Sequence, residues 1–338
     1  MTSVPTLRDE SGHPTSRSMV QYQNFFPAWD FFLRQRLEKE CREPLANYMD
    51  PAFPDMRISY QVLDCLLRQF PEFRKAELSA SAVVLGFIPT LLQLLSPSPT
   101  ETASLALRRP LLAMLLAAAM PSARPLARHD HVGDALQVSR PLPPWMDARF
   151  PFGGLDAYSS LVPWARAVVS GAQYLLACAA VANTSYRTYQ LCVWTVCTFV
   201  PTLAYFPAVW HLAVVLIHLI AWAVASVRVR SPRRDYGFCA MRWLRIELVP
   251  SAWAKRFTLE SRHQGGGLEY VLVAVEFLLY FMIPMQILYG TIVLSGLVFV
   301  SVMDAVVIAT WYMLSTVVCR AILWYEIAGM RYAMHQRR

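Results

Sequence analysis

Apolar residues dominate the C-terminal third of the chain. Residues 270–319 contain only two formal charges, Glu276 and Asp304, in fifty positions. A helix rises about 1.5 Å per residue, so a bilayer core of roughly 30 Å needs about 20 apolar residues to cross. Fifty residues are too many for one crossing and enough for two. The pattern therefore predicts a membrane hairpin with a turn near Tyr289 and Gly290.

Four further apolar runs precede the hairpin. They cover residues 79–95, 162–182, 188–205 and 207–227. Each is about long enough to cross a bilayer as a helix. Together with the two hairpin helices, the second of which runs from residue 291 to about residue 324, they make six spans. The predicted fold is an all-α polytopic transmembrane helical bundle over residues 76–325.

Residues 103–120 form an apolar segment that is interrupted by charge. Arg108 and Arg109 divide it and leave an apolar run over residues 110–120 that is too short to cross. A charged side chain in the middle of a bilayer costs several kcal/mol. We therefore predict that the segment is re-entrant or interfacial. If it crossed instead, the bundle would have seven spans.

The other segments are polar or amphipathic. Residues 1–20 have the composition of a disordered segment. Residues 21–75 carry apolar side chains at helical spacing, which predicts a helical region that lies in the cytosol or at the membrane interface. Residues 121–160 form a proline-rich loop, and residues 326–338 form a basic tail that is expected in the cytosol.

Basic residues crowd the segment between the fourth and fifth predicted spans, where residues 228–262 contain nine Lys and Arg side chains. Because positive residues stay cytosolic, loop 228–267 is predicted to lie in the cytosol, together with the arginines at the C-terminus. An even number of spans then places the N-terminus in the cytosol as well. Each basic residue near the surface adds about 1 kcal/mol of attraction to anionic lipid, which is the predicted partner of residues 228–262.

Composition narrows the class of protein. Charged residues make up 16% of the chain, against about 25% in soluble domains, which fits a protein surrounded largely by the lipid bilayer. The basic residues adjoin apolar runs, which argues against nucleic-acid binding. The seven cysteines include no C-x-x-C pair, which argues against a disulfide framework or a zinc ribbon. No nucleotide-binding, metalloprotease or hydrolase motif occurs, so we expect no cofactor and no metal.

Two carboxylates in the hairpin are the first candidates for an intramembrane polar site. Asp304 and Glu276 both lie within long apolar runs, where an ionised carboxylate needs a partner, a water-filled cavity or a proton. The functional interpretation is a path or binding site for a cation or proton. The structural interpretation is a hydrogen bond to a neighbouring helix.

Two histidines and two arginines complete the set of candidates. His211 and His218 are seven residues apart on one helix face, which separates their rings by about 10 Å along the axis, too far to bind one metal ion together. Hydrogen bonds between helices are the more common role for such residues. Arg108 and Arg109 could neutralise a lipid phosphate or a permeating anion. The structural alternative is snorkelling, in which the apolar stem stays in the membrane and the guanidinium reaches the headgroups.

The chain also carries short motifs that resemble a family. They are Ala106–Leu112, Tyr289–Phe299, Asp304–Ala305, Cys319–Arg320 and Glu326–Arg331. These segments resemble multi-pass integral membrane proteins of filamentous fungi to which no activity is assigned. The resemblance covers about a third of the chain. It implies an integral membrane protein and carries over no catalytic residue.

These patterns favour a non-enzymatic membrane protein, either channel-like or transporter-like or an interaction scaffold. The alternative is a membrane-embedded enzyme that acts on a lipid or polyprenyl substrate. A conduction path needs the candidate carboxylates and histidines along one connected, water-accessible route. An enzyme needs at least two of them within about 3–4 Å, facing a closed pocket.

Overall fold

The fold was analysed on a computed structural model, which describes residues 20–50, 57–126, 163–230, 247–251, 260–261 and 267–335. Ten helices lie in these ranges. They are α1 (Asp30–Lys39), α2 (Arg42–Met49), α3 (Ile58–Arg68), α4 (Glu72–Leu95), α5 (Pro99–Ala106), α6 (Pro110–Ala119), α7 (Pro163–Val193), α8 (Phe206–Arg228), α9 (Gly267–Ser295) and α10 (Val302–His335). The predicted all-α fold is confirmed.

Four two-residue strands form two short antiparallel ladders between helix ends. They are β1 (Val196–Cys197), β2 (Val229–Arg230), β3 (Glu260–Ser261) and β4 (Leu297–Val298). Strand β1 pairs with β4, and β2 pairs with β3. The first ladder joins the turn that follows α7 to the turn that follows α9.

In the part of the chain that the structure describes, five helices are long and apolar enough to cross a membrane. They are α4, α7, α8, α9 and α10. Their outward faces are apolar as well; in α9, for example, the Phe277 side chain is 65% exposed. An apolar surface this extensive marks a contact with membrane or protein. The chain is therefore an all-α polytopic helical protein with the character of a membrane protein, and residues 1–19, predicted to be disordered, lie outside the described ranges.

The separate span predicted over residues 188–205 is wrong. Helix α7 continues without a break to Val193, and the chain then forms β1 and a turn. The polar residues 183–185, which separate the two apolar runs, are helical in the structure, and two of their side chains have hydrogen-bond partners there. Asn183 Nδ2 donates to Ser315 Oγ at 2.8 Å, and Thr184 Oγ1 donates back to the carbonyl of Ala180.

The turn predicted near Tyr289 and Gly290 is also misplaced. Helix α9 runs through both residues to Ser295, and α10 begins at Val302. Gly290 instead allows a close helix contact, since a Cβ at this position would overlap the ring of Trp210, a fully buried side chain of α8. The glycine therefore serves packing, and the hairpin turns about ten residues later.

The chain packs as two compact units. The first consists of residues 1–90, 186–210 and 288–311. In it, α1–α3 pack around Leu33, Tyr48 and Leu66, and the turn residues Val196 and Phe299 belong to the same core. The Phe299 ring lies 6.1 Å from that of Phe25, edge to face, which adds specific aromatic packing to the buried area.

A disulfide links Cys41, at the start of α2, to Cys65 in α3. The expectation from cysteine spacing, which argued against a disulfide framework, is wrong for this pair. Spacing could not reveal it, because the two residues approach only when α1–α3 fold around their shared core. Cys178, Cys192, Cys197 and Cys319 are free thiols.

The second unit consists of residues 91–185, 211–287 and 312–338. The short helices α5 and α6 lie inside it. Their residues pack on Ala177 of α7 and Leu323 of α10 in one cluster. In another cluster, α5 packs on Ile217 of α8 and Ile283 of α9. With eight and ten residues, the pair measures roughly 12 and 15 Å, so neither helix can cross a bilayer alone.

Candidate functional site

A buried ion pair lies at the start of α6. Arg109 Nη1 donates to Glu326 Oε1 of α10 at 2.8 Å, and both side chains are 0% exposed. Removing two charges from water costs several kcal/mol per ion, so such a pair persists only when further hydrogen bonds satisfy it. The other groups around the pair therefore decide whether it is stable.

The remaining Arg109 donors are directed at protein oxygens. Nη1 also donates to Gln173 Oε1 at 2.6 Å, and Nη2 donates to Ser170 Oγ at 2.8 Å, both on α7. Nε donates to the backbone carbonyl of Glu247 at 2.8 Å. The guanidinium lies over the Tyr174 ring, 5.4 Å from its centre. Arg109 therefore joins α6, α7, α10 and the segment 247–251.

The Glu326 carboxylate is satisfied on both oxygens. Oε1 accepts from Gln173 Nε2 at 2.7 Å in addition to Arg109. Oε2 accepts from the backbone N–H and from the hydroxyl of Ser251, at 3.0 and 2.6 Å. This fixes the segment 247–251 against α10.

A second Arg–Glu combination completes the cluster. Glu247 Oε1 accepts from the Tyr174 hydroxyl at 2.7 Å and from the Leu112 N–H at 3.1 Å. Arg108 Nη2 donates to the carbonyls of Val249 and Pro250, both at 3.1 Å. Burial lowers the pKa of Arg108 to about 10, against the opposing attraction of Glu326 and Glu247. Arg108, Arg109, Glu247 and Glu326, called here the Arg–Glu cluster, carry two formal positive and two formal negative charges.

Arg108 and Arg109, the predicted lipid-phosphate contacts, are buried and donate to protein acceptors. Their contact with lipid phosphate stays a prediction. The sequence drew attention to the arginines, but Glu326 and Glu247 were missed. For Glu326, the signal available in the sequence was a glutamate within the apolar stretch near the end of α10.

A second ion pair lies at the start of α5. Arg320 contacts both carboxylate oxygens of Glu101, at 2.5 and 3.2 Å. Glu101 also accepts from the Ser98 N–H while its own N–H donates to Ser98 Oγ, which forms a capping box. Burial alone would raise the pKa of Glu101. The hydrogen bond and charge of Arg320, with Ser98 and Arg124, outweigh burial and lower it.

The two histidines of α8 bond to the α5–α6 segment separately. His218 Nδ1 lies 2.7 Å from Thr102 Oγ1 of α5, and His211 Nε2 lies 2.8 Å from the carbonyl of Ala118 in α6. Each histidine therefore contributes an interhelical hydrogen bond. Among the described residues, no group of three or more His, Cys, Asp and Glu side chains comes close enough to hold a metal ion.

A small cavity lies beside His218. Its volume is about 20 Å³, and Thr102 and His218 are its polar lining residues. The rest of the lining is apolar and consists of Ala106, Ala113, Met114, Ala117, Val215, Leu219 and Trp222. The cavity thus lies between α5, α6 and α8, within the second unit.

Asp304 is not in the middle of a membrane helix. It lies in the first turn of α10, where its Oδ2 accepts from Ser301 Oγ at 2.8 Å and its N–H donates to the same hydroxyl at 3.0 Å. The prediction misplaced this residue because it began the second hairpin helix at residue 291. A carboxylate in the first turn of a helix is stabilised by the helix dipole.

Glu276 pairs with a cation from the end of another helix. Its Oε2 lies 3.1 Å from Arg228 Nη2, and Glu269 Oε1 lies 3.9 Å from the same nitrogen. Of the four predicted polar-site residues, Glu276, His211 and His218 belong to the second unit, whereas Asp304 belongs to the first. The structure thus gives each of the four a partner of its own.

Comparison with protein-family models, with curated proteins and with solved structures yields no match. The resemblance to fungal membrane proteins therefore remains a prediction, and any activity has to be argued from the site itself.

Proposed function

We propose that the protein is a membrane transport protein, of the channel or carrier kind, whose solute path passes the α5–α6 segment. The observation that carries this proposal is the burial of two short helices between α7 and α10 on one side and α8 and α9 on the other. Interrupted helices at membrane depth occur where the break is buried in protein or lines a cavity, as in transporters and channels.

The side chains of α5 support this proposal. All its residues except Glu101 are buried, and they include Thr100, Thr102 and Ser104. Hydroxyl groups keep spare lone pairs after they have donated, so they present acceptors to a solute that can donate hydrogen bonds. The Arg–Glu cluster holds the start of α6 in place, which keeps the pair rigid without leaving a net charge beside the path.

The proposal includes an orientation of the chain. With the five candidate spans of the described residues as the crossings, the start of α4 and the end of α10 lie on opposite sides of the membrane, whereas the expectation that both ends lie in the cytosol assumed six. Successive crossings run in opposite directions. The start of α4, the α7–α8 turn and the α9–α10 turn therefore lie on the same side of the membrane. This orientation requires that α1–α3, which precede α4, can meet both turns, and the α1–α3 core contains Val196 and Phe299 from them. The Cys41–Cys65 disulfide favours an oxidising, non-cytosolic compartment for that side, with the basic loop in the cytosol.

A membrane enzyme acting on a lipid remains the second candidate, and one observation favours it. Glu247 Oε2 is buried and has no hydrogen-bond partner among the described residues, while Oε1 is oriented by the Tyr174 hydroxyl. A carboxylate oxygen of this kind could accept a proton from a substrate. Replacing Glu247 by Gln would then abolish turnover of an added lipid while the protein still folds.

The test of transport is a flux assay on the purified full chain in liposomes. The panel consists of water, ammonia, glycerol, protons and potassium, each compared with protein-free liposomes. Ala106→Leu, which fills space between α5 and α8, should lower the flux of whichever solute passes. Ala223→Leu makes the same change at an exposed position of α8 and should leave it unaltered.

Two results would overturn the proposal. In the first, no solute in the panel crosses faster than through protein-free liposomes, although the protein is folded and incorporated. In the second, flux occurs but is equally insensitive to Ala106→Leu and Ala223→Leu, which would place the path elsewhere. Size-exclusion profiles of both variants verify that the chain stays folded.

A further inference from the structure

The Thr102 hydroxyl makes two contacts, and both can be hydrogen bonds at once in only one arrangement. The hydroxyl has one proton, and the carbonyl of Pro99, 3.0 Å from Oγ1, can only accept it. With the proton there, the 2.7 Å contact between Thr102 Oγ1 and His218 Nδ1 is donated by the ring. This arrangement places the ring proton of His218 on Nδ1 and leaves a lone pair on Nε2.

The lone pair of Nε2 has no protein donor. His218 is 5% exposed, and Nε2 has no hydrogen-bond partner among the described residues. Leaving a buried acceptor unsatisfied costs about 1–3 kcal/mol. A small molecule that donates one hydrogen bond to Nε2 would remove this cost.

The cavity beside His218 has the size for such a molecule. A cavity needs about 10–15 Å³ of volume to hold a water molecule, and this cavity has about 20 Å³. Its lining is apolar apart from Thr102 and His218. An ion would be desolvated there without a counter-charge in the lining, which costs far more than one neutral hydrogen bond returns. The uncharged, largely apolar lining therefore favours a neutral occupant.

We propose that His218 Nε2 binds a neutral, water-sized hydrogen-bond donor, either water or ammonia. The binding site itself follows from the ring, the hydroxyl and the cavity. The further statement that this donor is the transported solute rests on the proposed function. His211 provides an internal contrast, because its Nε2 faces the carbonyl of Ala118 and must carry the proton. The two rings are therefore expected to be opposite tautomers.

Nitrogen-15 NMR of the full chain, labelled on histidine and embedded in bilayers, tests the site directly. His218→Gln and His211→Gln assign the two sets of ring signals. We expect a protonated Nδ1 and a bare Nε2 for His218, the reverse for His211, and magnetisation transfer from water protons to His218 Nε2. Ala113→Val, which narrows the cavity, should weaken that transfer, whereas the exposed change Ala223→Val should not.

The choice between water and ammonia is made by titration. Ammonia that displaces water should move the His218 Nε2 signal to a saturating limit and reduce the water transfer. Potassium at equal ionic strength should do neither. No shift with ammonia, with the water transfer intact, identifies water as the occupant.

Two outcomes would overturn the proposed site. In the first, the His218 ring is protonated on Nε2. In the second, its Nε2 signal receives no magnetisation transfer from water and does not shift with ammonia. Thr102→Val is a second check, since removal of the acceptor should release the preference for Nδ1–H. The site and the transport function fail separately. A correct tautomer without flux refutes transport, whereas flux with the reversed tautomer refutes the site.

Discussion

Gly290 provides a sharp test of how the first unit is packed. In the middle of a helix, replacing glycine by alanine normally stabilises by about 0.5–1 kcal/mol, because alanine loses less backbone freedom on folding. At Gly290 the new methyl group would overlap Nε1 and Cδ1 of Trp210 and lie 3.0 Å from Cγ of Pro89. Optimal carbon contacts are about 3.5–4.0 Å, so the ring would have to move by on the order of 1 Å.

The Trp210 ring has little room to move, because its side chain is 0% exposed. Overpacking a well-filled core costs about 1–3 kcal/mol. Subtracting the gain in helix propensity leaves a net destabilisation of roughly 0–2.5 kcal/mol, centred on about 1 kcal/mol, for Gly290→Ala. The midpoint of thermal unfolding in detergent, followed by tryptophan fluorescence, should fall accordingly.

Gly171 is the matched control. It lies within α7, is exposed, and a Cβ there would meet no atom within 4 Å. Gly171→Ala should therefore be neutral or stabilising. In a Trp210→Ala background, Gly290→Ala should lose most of its cost. Equal midpoint changes for both alanine variants, or an unchanged cost without the Trp210 ring, would refute the packing argument.

Four other predictions follow from the structure. Arg109→Ala should destabilise by roughly 3–5 kcal/mol, because it leaves a buried carboxylate unpaired, and Arg109→Met combined with Glu326→Leu should recover most of that loss in thermal unfolding. Cys41→Ser removes a cross-link between residues separated by 24 positions, worth about 3.5 kcal/mol of chain entropy; a non-reducing gel should show the loss of the linked form, and an unchanged unfolding midpoint would argue against the link. Glu101 has a lowered pKa, so its stabilisation is complete above the ordinary value of 4.5 and is lost as pH falls through the folded pKa; the unfolding midpoints of wild type and Glu101→Gln should converge in acid. Asn183 lies in a glycosylation sequon but inside α7, bonded to Ser315, so mass spectrometry should find it unmodified.

The sequence predicted the fold class because long apolar runs leave few alternatives to membrane helices. It misplaced two helix boundaries because apolarity does not report contacts between helices. Asn183 lies in a polar stretch that suggests the end of a helix, yet it is inside α7 and bonds to Ser315 of α10. Gly290 suggests a turn, yet it lies within α9 and leaves room for the ring of Trp210. Each error concerns a residue whose surroundings are supplied by another helix.

The candidate site could be predicted only in part for the same reason. Arg108 and Arg109 stood out as charges in an apolar segment, but their carboxylate partners lie far along the chain. Arg109 and Glu326 are 217 positions apart, and no local pattern joins them. His218 was noticed for its place on α8, whereas the hydroxyl that its ring contacts lies on α5. Pairings of this kind require the fold.

The Arg–Glu cluster has an electrical consequence. A membrane potential of 100 mV does work of about 2.3 kcal/mol on each unit charge that crosses the full field. The two arginines and two glutamates carry formal charges that sum to zero, so the field does almost no net work when the whole cluster is displaced as one body. A conformational change that keeps the cluster together would therefore proceed at the same rate at resting and at collapsed potential, whereas a motion of α6 away from Glu326 of α10 would not.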